Sequence, residues 1–522
     1  MSDKIITTFQ QRLQLEREMA ALGDTTTEAD LDRQVRTLVD GYPHDVLLTV
    51  LLKKLDVTNG QLRGGLGKLA ALLPRDAALT GLRNAAANRR QSAQTRLTAA
   101  LLMQRFLGQE VPPALLADLH DSDQVVMQSL QEAIEEGRAN RYVLLEYVRQ
   151  LRQETEETAH MVMGLIDRLN PADQVGLLRL LGLDDRAGVA KAAIQRLGDM
   201  RDAEGGALAL FALHALQPNL PPPLAQTAAQ GLRRLRFSGV RADLANSDGW
   251  RGLMGPADPA GNQIIWFVRT PQTGDDGVLI GIHANPQAGV LEAFGHERID
   301  LSMLPTQREV GQLVSVDTGN KQPLVLLEVP FDFARWRLQA ALDAQWQVNP
   351  VQPLPGEYRL YSDLLWTLPP PLTSPTVSPL LQAFFTPDPD LWTEAAGNLN
   401  LGTISERVLQ HPAMGTWFFH GQNLIQIIRT RPDLGNSPGI AQMVKGLLQD
   451  IFSQDANHEL LTGLEAGLRA QAAWLYLSGS RDSAHQAQVL AESIRNLPPA
   501  QNPFLARMME IGVRFALENL PS

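Results

Sequence analysis

The spacing of apolar residues along the chain changes twice. Up to about residue 236 they recur every three or four positions, the period of one helix face. Ser92–Gly108 puts Leu97, Leu101, Leu102 and Phe106 on one side, and Asp121–Gly137 does the same with Val126, Leu130 and Ile134. Asp185–Leu197 gathers Val189, Ala193, Ile194 and Leu197, and Glu204–Leu216 and Leu224–Leu235 follow. Stops are supplied by Gly41–Tyr42–Pro43, Gly108, Gly137, Asn170–Pro171 and Gln217–Pro218. Helices of this length are too short to stand alone, so their apolar faces must be buried against one another.

Between about residues 237 and 331 the pattern shortens. Trp250–Met254, Gln263–Thr270, Gly277–Ala284 and Pro323–Val329 read as strands, with Gln312–Asp317 as a fifth. Turn-forming runs separate them: Pro256–Asn262, Thr273–Gly277 and Asp317–Lys321. Pro286–Phe294 is predicted to be a short helix, and Asp332–Gln347 a longer one with Phe333, Trp336, Ala340 and Ala344 on one face. Leu368–Pro379 (LPPPLTSPTVSP) is too rich in proline for helix or central strand and reads as a linker. Helical spacing then resumes in Gly439–Gln454, Asn457–Leu477, Ser483–Leu497 and Pro503–Leu520.

The expected fold is therefore mainly α with an α+β module. An N-terminal α-solenoid-like helical array (1–236) precedes a central small antiparallel sheet with helices (237–367). The Pro-rich linker (368–379) and a C-terminal helical region (380–522) follow. Tryptophan supports the first boundary. Residues 1–249 have none, and seven of the eight lie between 250 and 417.

Within Asp184–Leu235 a helix pair is separated by an Asp-rich turn and followed by a Pro-rich one. This resembles HEAT or armadillo-type helical repeats, whose period is about 40 residues. The resemblance extends over about residues 90–236 and implies a solenoid with a concave binding face. An irregular helical bundle is the alternative. Residues 237–522 resemble no characterised family.

Composition narrows the chemistry. The 522 residues include no cysteine, which removes disulfides, thiolate nucleophiles and cysteine-rich metal sites. No run approaches the ~18 apolar residues of a membrane span, and Met1–Arg17 lacks the apolar stretch of a signal peptide. A cytoplasmic location is expected, with no membrane partner. The net charge of −11 is uneven: residues 1–236 carry 28 basic and 29 acidic groups, residues 237–522 carry 18 and 28. The later part repels phosphates, so nucleic acid is not an expected partner there, and a basic protein is.

The motifs that could carry chemistry are few. Gly435–Gly439 (GNSPG) has the Gly-x-Ser-x-Gly form of a hydrolase elbow. Pro438 follows the serine, however, and has no N–H to donate to an oxyanion, so Ser437 reads as a helix cap with Pro438 at the first helical position. Gly65–Ala70 (GLGKLA) has the form Gly-x-Gly-x-x-Ala, but Asp45–Leu55 before it reads as helix rather than strand. Gly67–Lys68 is followed by Leu69 and is no phosphate loop. His283, Glu292, His296 and Glu297 form the densest acidic–histidine group and are the weak candidates for a metal or acid–base site. An ordinary solvated rim explains them as well. His411 and His420 bracket the aromatic run Trp417–Phe419, which reads as core. Arg233, Arg234 and Arg236, the densest basic cluster after Arg89–Arg90, read as a solvated helix end.

These observations favour a non-enzymatic scaffold or adaptor that binds a protein partner through the helical array, the aromatic-rich central module, or both. No cofactor is expected. The alternatives are a hydrolase with its site in the central module and nucleic-acid binding by the N-terminal helices.

Overall fold

A computed structural model describes residues 14–518, apart from 26, 58, 89, 110, 112–121, 243–245, 272–275, 318, 320–322, 349–351, 369–378, 420–439 and 453–457. The chain divides into two compact units, residues 1–213 with 230–241, and residues 214–229 with 242–522.

The first unit is helical. Its elements are α1 (Glu28–Gly41), α2 (His44–Lys53), α3 (Gly60–Leu72), α4 (Arg75–Ala87), α5 (Ala93–Leu107), α6 (Ser122–Ala139), α7 (Tyr142–Arg152), α8 (Glu156–Ile166), α9 (Pro171–Leu181) and α10 (Ala187–Asp199). α11 (Ala203–Leu216) and α12 (Pro222–Phe237) come next, joined by a 3₁₀ turn at Gln217–Asn219. The starts are written locally. Thr27, Asn59, Ser92, Thr155 and Asn170 each accept a backbone N–H of their helix's first turn, and Pro171 occupies the first position of α9. Gly108, with φ of 60°, ends α5 in the left-handed conformation.

Gly137 is not the stop its sequence context suggests. α6 runs through it to Ala139, and a Cβ there would lie 2.6 Å from the Leu144 side chain of α7. Its role is close helix approach. The same holds for Gly65 and Gly67 in the middle of α3: a Cβ on Gly67 would meet the Phe106 ring at 2.2 Å. These glycines cost α3 roughly 1 kcal/mol each in helix propensity; Gly67 lets α5 lie close, and Gly65 makes room for Leu22 and Leu31. The run Asp45–Leu55 that precedes them lies in α2, so no strand leads into GLGKLA.

The packing is largely between sequence neighbours: α4 on α5, α6 on α7, α9 on α10, with α3 on α5 and α8 on α10. Leu15, Leu22, Leu31, Val35, Leu47, Leu51, Leu66, Leu82 and Leu102 share one aliphatic core. This is consistent with a helical array.

The second unit is built on a six-stranded antiparallel sheet of order β4-β3-β2-β1-β6-β5. The strands are β1 (Trp250–Met254), β2 (Gln263–Arg269), β3 (Asp276–Asn285), β4 (Gly289–Asp300), β5 (Leu313–Val316) and β6 (Leu324–Val329). The predicted short helix at Pro286–Phe294 is wrong. Pro286–Ala288 make the turn and β4 continues to Asp300. Asn285 explains the turn: its side chain accepts the N–H groups of Gln287 and Ala288.

Side chains alternate between the two faces. The row Gly295–Ile280–Phe267–Gly252–Val329 faces the helices α13 (Phe331–Val348) and α14 (Gly356–Trp366). Both glycines make room for helix side chains: a Cβ on Gly252 would meet Ala334 at 2.8 Å, and one on Gly295 would meet the Tyr361 ring at 2.3 Å. On the other face Leu253, Trp266, Val268, Leu279 and Leu326 form a second core, closed by Leu304. The later helices are α15 (Pro379–Ala383), α16 (Pro389–Asn398), α17 (Leu401–Leu409), α18 (Ile440–Phe452), α19 (His458–Leu477), α20 (Arg481–Asn496) and α21 (Pro503–Glu518). α19 holds the β1–β2 loop: Trp474 donates to the Met254 carbonyl at 2.9 Å and Gln471 accepts the Ala257 N–H at 2.8 Å. Trp417 donates to the Ala257 carbonyl at 2.8 Å.

Candidate functional site

Leu97, Leu101 and Phe106 share a helix face in the sequence, and that face suggests core. In the structure only their neighbour Leu102 is fully buried, while these three are half-buried. They line a cavity of about 390 Å³ walled by α3, α5, α6, α7 and α8. Val126, Leu151, Met161 and Val162 complete its apolar wall. An opening of this size, lined mostly by apolar side chains, is in the range of ligand pockets, about 300–1,000 Å³. Gly64 contributes a stretch of bare backbone, where a Cβ would meet nothing within 4 Å.

One side of the cavity is polar. Arg63 Nη1 donates to Ser129 Oγ at 3.4 Å, and its Nη2 lies 3.6 Å from Glu132. Arg105 Nη1 donates to Gln150 Oε1 at 2.5 Å, and its Nη2 lies 3.6 Å from Glu154. Burial lowers the pKa of Arg63, opposed by Glu132 and Glu136. Burial pushes the Tyr147 phenol up to about 12, so it remains a neutral hydrogen-bonding group at physiological pH. A smaller void of about 30 Å³ adjoins it, sharing Arg63, Ser129, Tyr147 and Gln150. Charge is balanced here, arginine against glutamate. The arrangement offers apolar surface with a few orienting polar groups, which is the makeup of a recognition site.

The histidine group of the central module is arranged by β3 and β4. His283 stands directly opposite Glu292 in the register, and Leu279 opposite His296. Glu292, Phe294 and His296 share one face of β4, all exposed, while Glu297 alternates to the other face. Phe294 lies over Gly281 and packs edge-on to Trp266 at 5.7 Å. Among the described residues no group of three or more His, Asp or Glu is placed to hold a metal ion. The strand register thus joins His283 with Glu292 and sends Glu297 away from them.

Ser437 and Pro438 lie outside the described residues, as do His420, Arg89 and residues 369–378 of the Pro-rich segment. His411 accepts the Ala413 N–H at its Nδ1, capping a 3₁₀ turn, and burial lowers its pKa. Trp417 is 1% exposed and belongs to the core. Arg233, Arg234 and Arg236 are exposed at the end of α12, with Arg234 paired to Asp199. No described helix is long and apolar enough to cross a membrane.

The chain matches no protein-family pattern, no curated protein and no solved structure.

Proposed function

We propose that the protein is a non-enzymatic adaptor whose N-terminal helical array receives an apolar segment of a protein partner. The observation that supports this reading is the 390 Å³ cavity, with Leu97, Leu101, Phe106 and Val126 only half-buried around it. Apolar anchors seated in such pockets dominate the affinity of protein interfaces. The surrounding arginine, tyrosine and glutamine groups would orient the segment. A HEAT-like solenoid would present its concave surface in the same way. The acidic excess of residues 237–522 adds a preference for a partner with basic surface, and that attraction weakens as salt rises.

The test is to fill the cavity. Leu101→Trp adds bulk at a half-buried position and leaves the aliphatic core of α1–α5 alone. A partner captured by the tagged wild-type protein from its own cells should bind this variant at least about tenfold more weakly, with the circular dichroism unchanged. Equal binding by a folded variant would defeat the reading.

A further inference from the structure

Several buried arginines in the second unit have a carboxylate within reach. Arg251 donates to Glu328 at 2.8 Å, and Arg469 donates to both Glu465 and Glu492 at 2.8 Å. Arg335 lies 3.8 Å from Asp332. Arg337 on α13 is as deeply placed, at 6% exposure, yet among the described residues it has no carboxylate and no hydrogen-bond acceptor. Its Nε is sealed from solvent with nothing to donate to. What holds the side chain is aromatic: its guanidinium carbon sits 4.1 Å from the centre of the Phe385 ring and 5.9 Å from that of Trp336. Those two rings also contact each other and Phe333.

The chemistry of this arrangement is one-sided. A guanidinium carries five N–H donors in its plane and no acceptor. Ring contacts satisfy its faces through the quadrupole, not its edges. Burial lowers the Arg337 pKa to about 10, which leaves it protonated at neutral pH. Its Nε is buried without a partner, and a cation so largely removed from water is unfavourable unless an anion meets it. The group that fits is one with two oxygens in a fork, a carboxylate or a phosphate, because it accepts two parallel N–H bonds at once.

We propose that Arg337, seated on Phe385 and Trp336, is a binding site for a small oxyanion, a carboxylate or phosphate group. The site lies in the second unit and does not depend on the adaptor reading of the first. Small-molecule metabolites bearing either group are the ligand class. Trp336 supplies a built-in reporter, since an anion on the guanidinium changes the charge beside its ring.

The experiment uses the full chain, titrated with sodium phosphate and separately with sodium acetate, each against sodium chloride at matched ionic strength. Calorimetry and tryptophan fluorescence are read together. At least one anion should bind saturably and change the fluorescence. Arg337→Gln should weaken that binding about tenfold or more, the loss expected for a charge-assisted pair. Trp336→Phe should lose most of the fluorescence change. Should Arg337→Gln fail to fold, Phe385→Leu keeps the charge and removes its platform, and it should weaken binding in the same direction. The proposal falls if neither anion binds saturably to the wild type. It falls equally if the folded variants at 337 or 385 bind as well as wild type, or if the fluorescence change survives in Trp336→Phe.

Discussion

The two units reach a buried core by different means. The first relies on aliphatic side chains from regular helices, with Leu, Val, Ala and Met making up its buried cluster. Its backbone hydrogen bonds close within each helix, and the caps take up the free N–H groups at several starts. The second unit has a sheet whose loops leave backbone groups for side chains to satisfy. Trp474, Trp417, Gln471 and Gln263 all hydrogen-bond to backbone atoms of the β1–β2 connection. Buried ion pairs and the chain Trp366–Tyr358–Asn219 add to this polar interior. The lesson is that regular helices allow an apolar core and can leave a cavity in it. Irregular connections require specific polar partners, and each of those partners then becomes costly to remove.

That contrast can be broken by substitution, because tryptophan fluorescence reports only on residues 250 onward while far-UV dichroism reports on both units. The largest effect should come from Arg469→Met. It leaves Glu492, 1% exposed, with only the Asp388 N–H at 2.7 Å among the described residues, and the loss should be about 3–5 kcal/mol. Denaturant unfolding followed by fluorescence should show it. A loss below about 1 kcal/mol would mean that the polar interior of this unit is not as demanding as claimed.

Leu51→Ala should come next, at about 3 kcal/mol, since Leu51 is fully buried in the aliphatic cluster. The dichroism transition should shift and the fluorescence transition should stay. If both move together, the units unfold as one body and the comparison fails at that point.

A smaller effect is expected for Tyr358→Phe. The hydroxyl accepts from Trp366 Nε1 at 2.9 Å and donates to Asn219 Oδ1 at 2.6 Å, so its removal strands two buried groups. The loss should be about 1–3 kcal/mol, measured by the same fluorescence transition. Burial raises the phenol's pKa, so the hydroxyl stays neutral and the effect should not change between pH 6 and about pH 9.

The smallest effect concerns pH. His411 is depressed by burial, and its Nδ1 must be unprotonated to accept the Ala413 N–H. A folded value below the unfolded one means the contribution is present above the ordinary histidine range and is lost as pH falls through the depressed value. Wild type should therefore lose slightly more stability than His411→Asn on acidification from pH 7 to 5. Identical slopes would remove His411 from the account.

Much of the secondary structure was legible from periodicity. Trp250–Met254 and the runs that became β2, β3 and β6 were readable because short apolar runs and the turn residues that bound them are local signals. β4 was misread because Pro286 and the Gly289-containing stretch resemble a helix start. What makes the strand is pairing with β3, which lies outside any local window. The cavity was illegible for a similar reason. Leu97, Leu101 and Phe106 show the same spacing whether a neighbour covers them or not. The histidine group was visible as a list of residues, but strand parity, which separates Glu297 from His283 and Glu292, follows from the register of β3 and β4.

The sequence by itself determined the helical and strand-rich regions, many of the caps and turns, the absence of thiol chemistry and the uneven charge. Those follow from residue type and spacing along a short window. The tertiary structure alone decided that mid-helix glycines serve close packing, that a face of apolar residues opens on a cavity, and that Arg337 meets aromatic rings where Arg251 and Arg469 meet carboxylates. Those depend on which distant side chains come together, and periodicity records a face without recording what covers it.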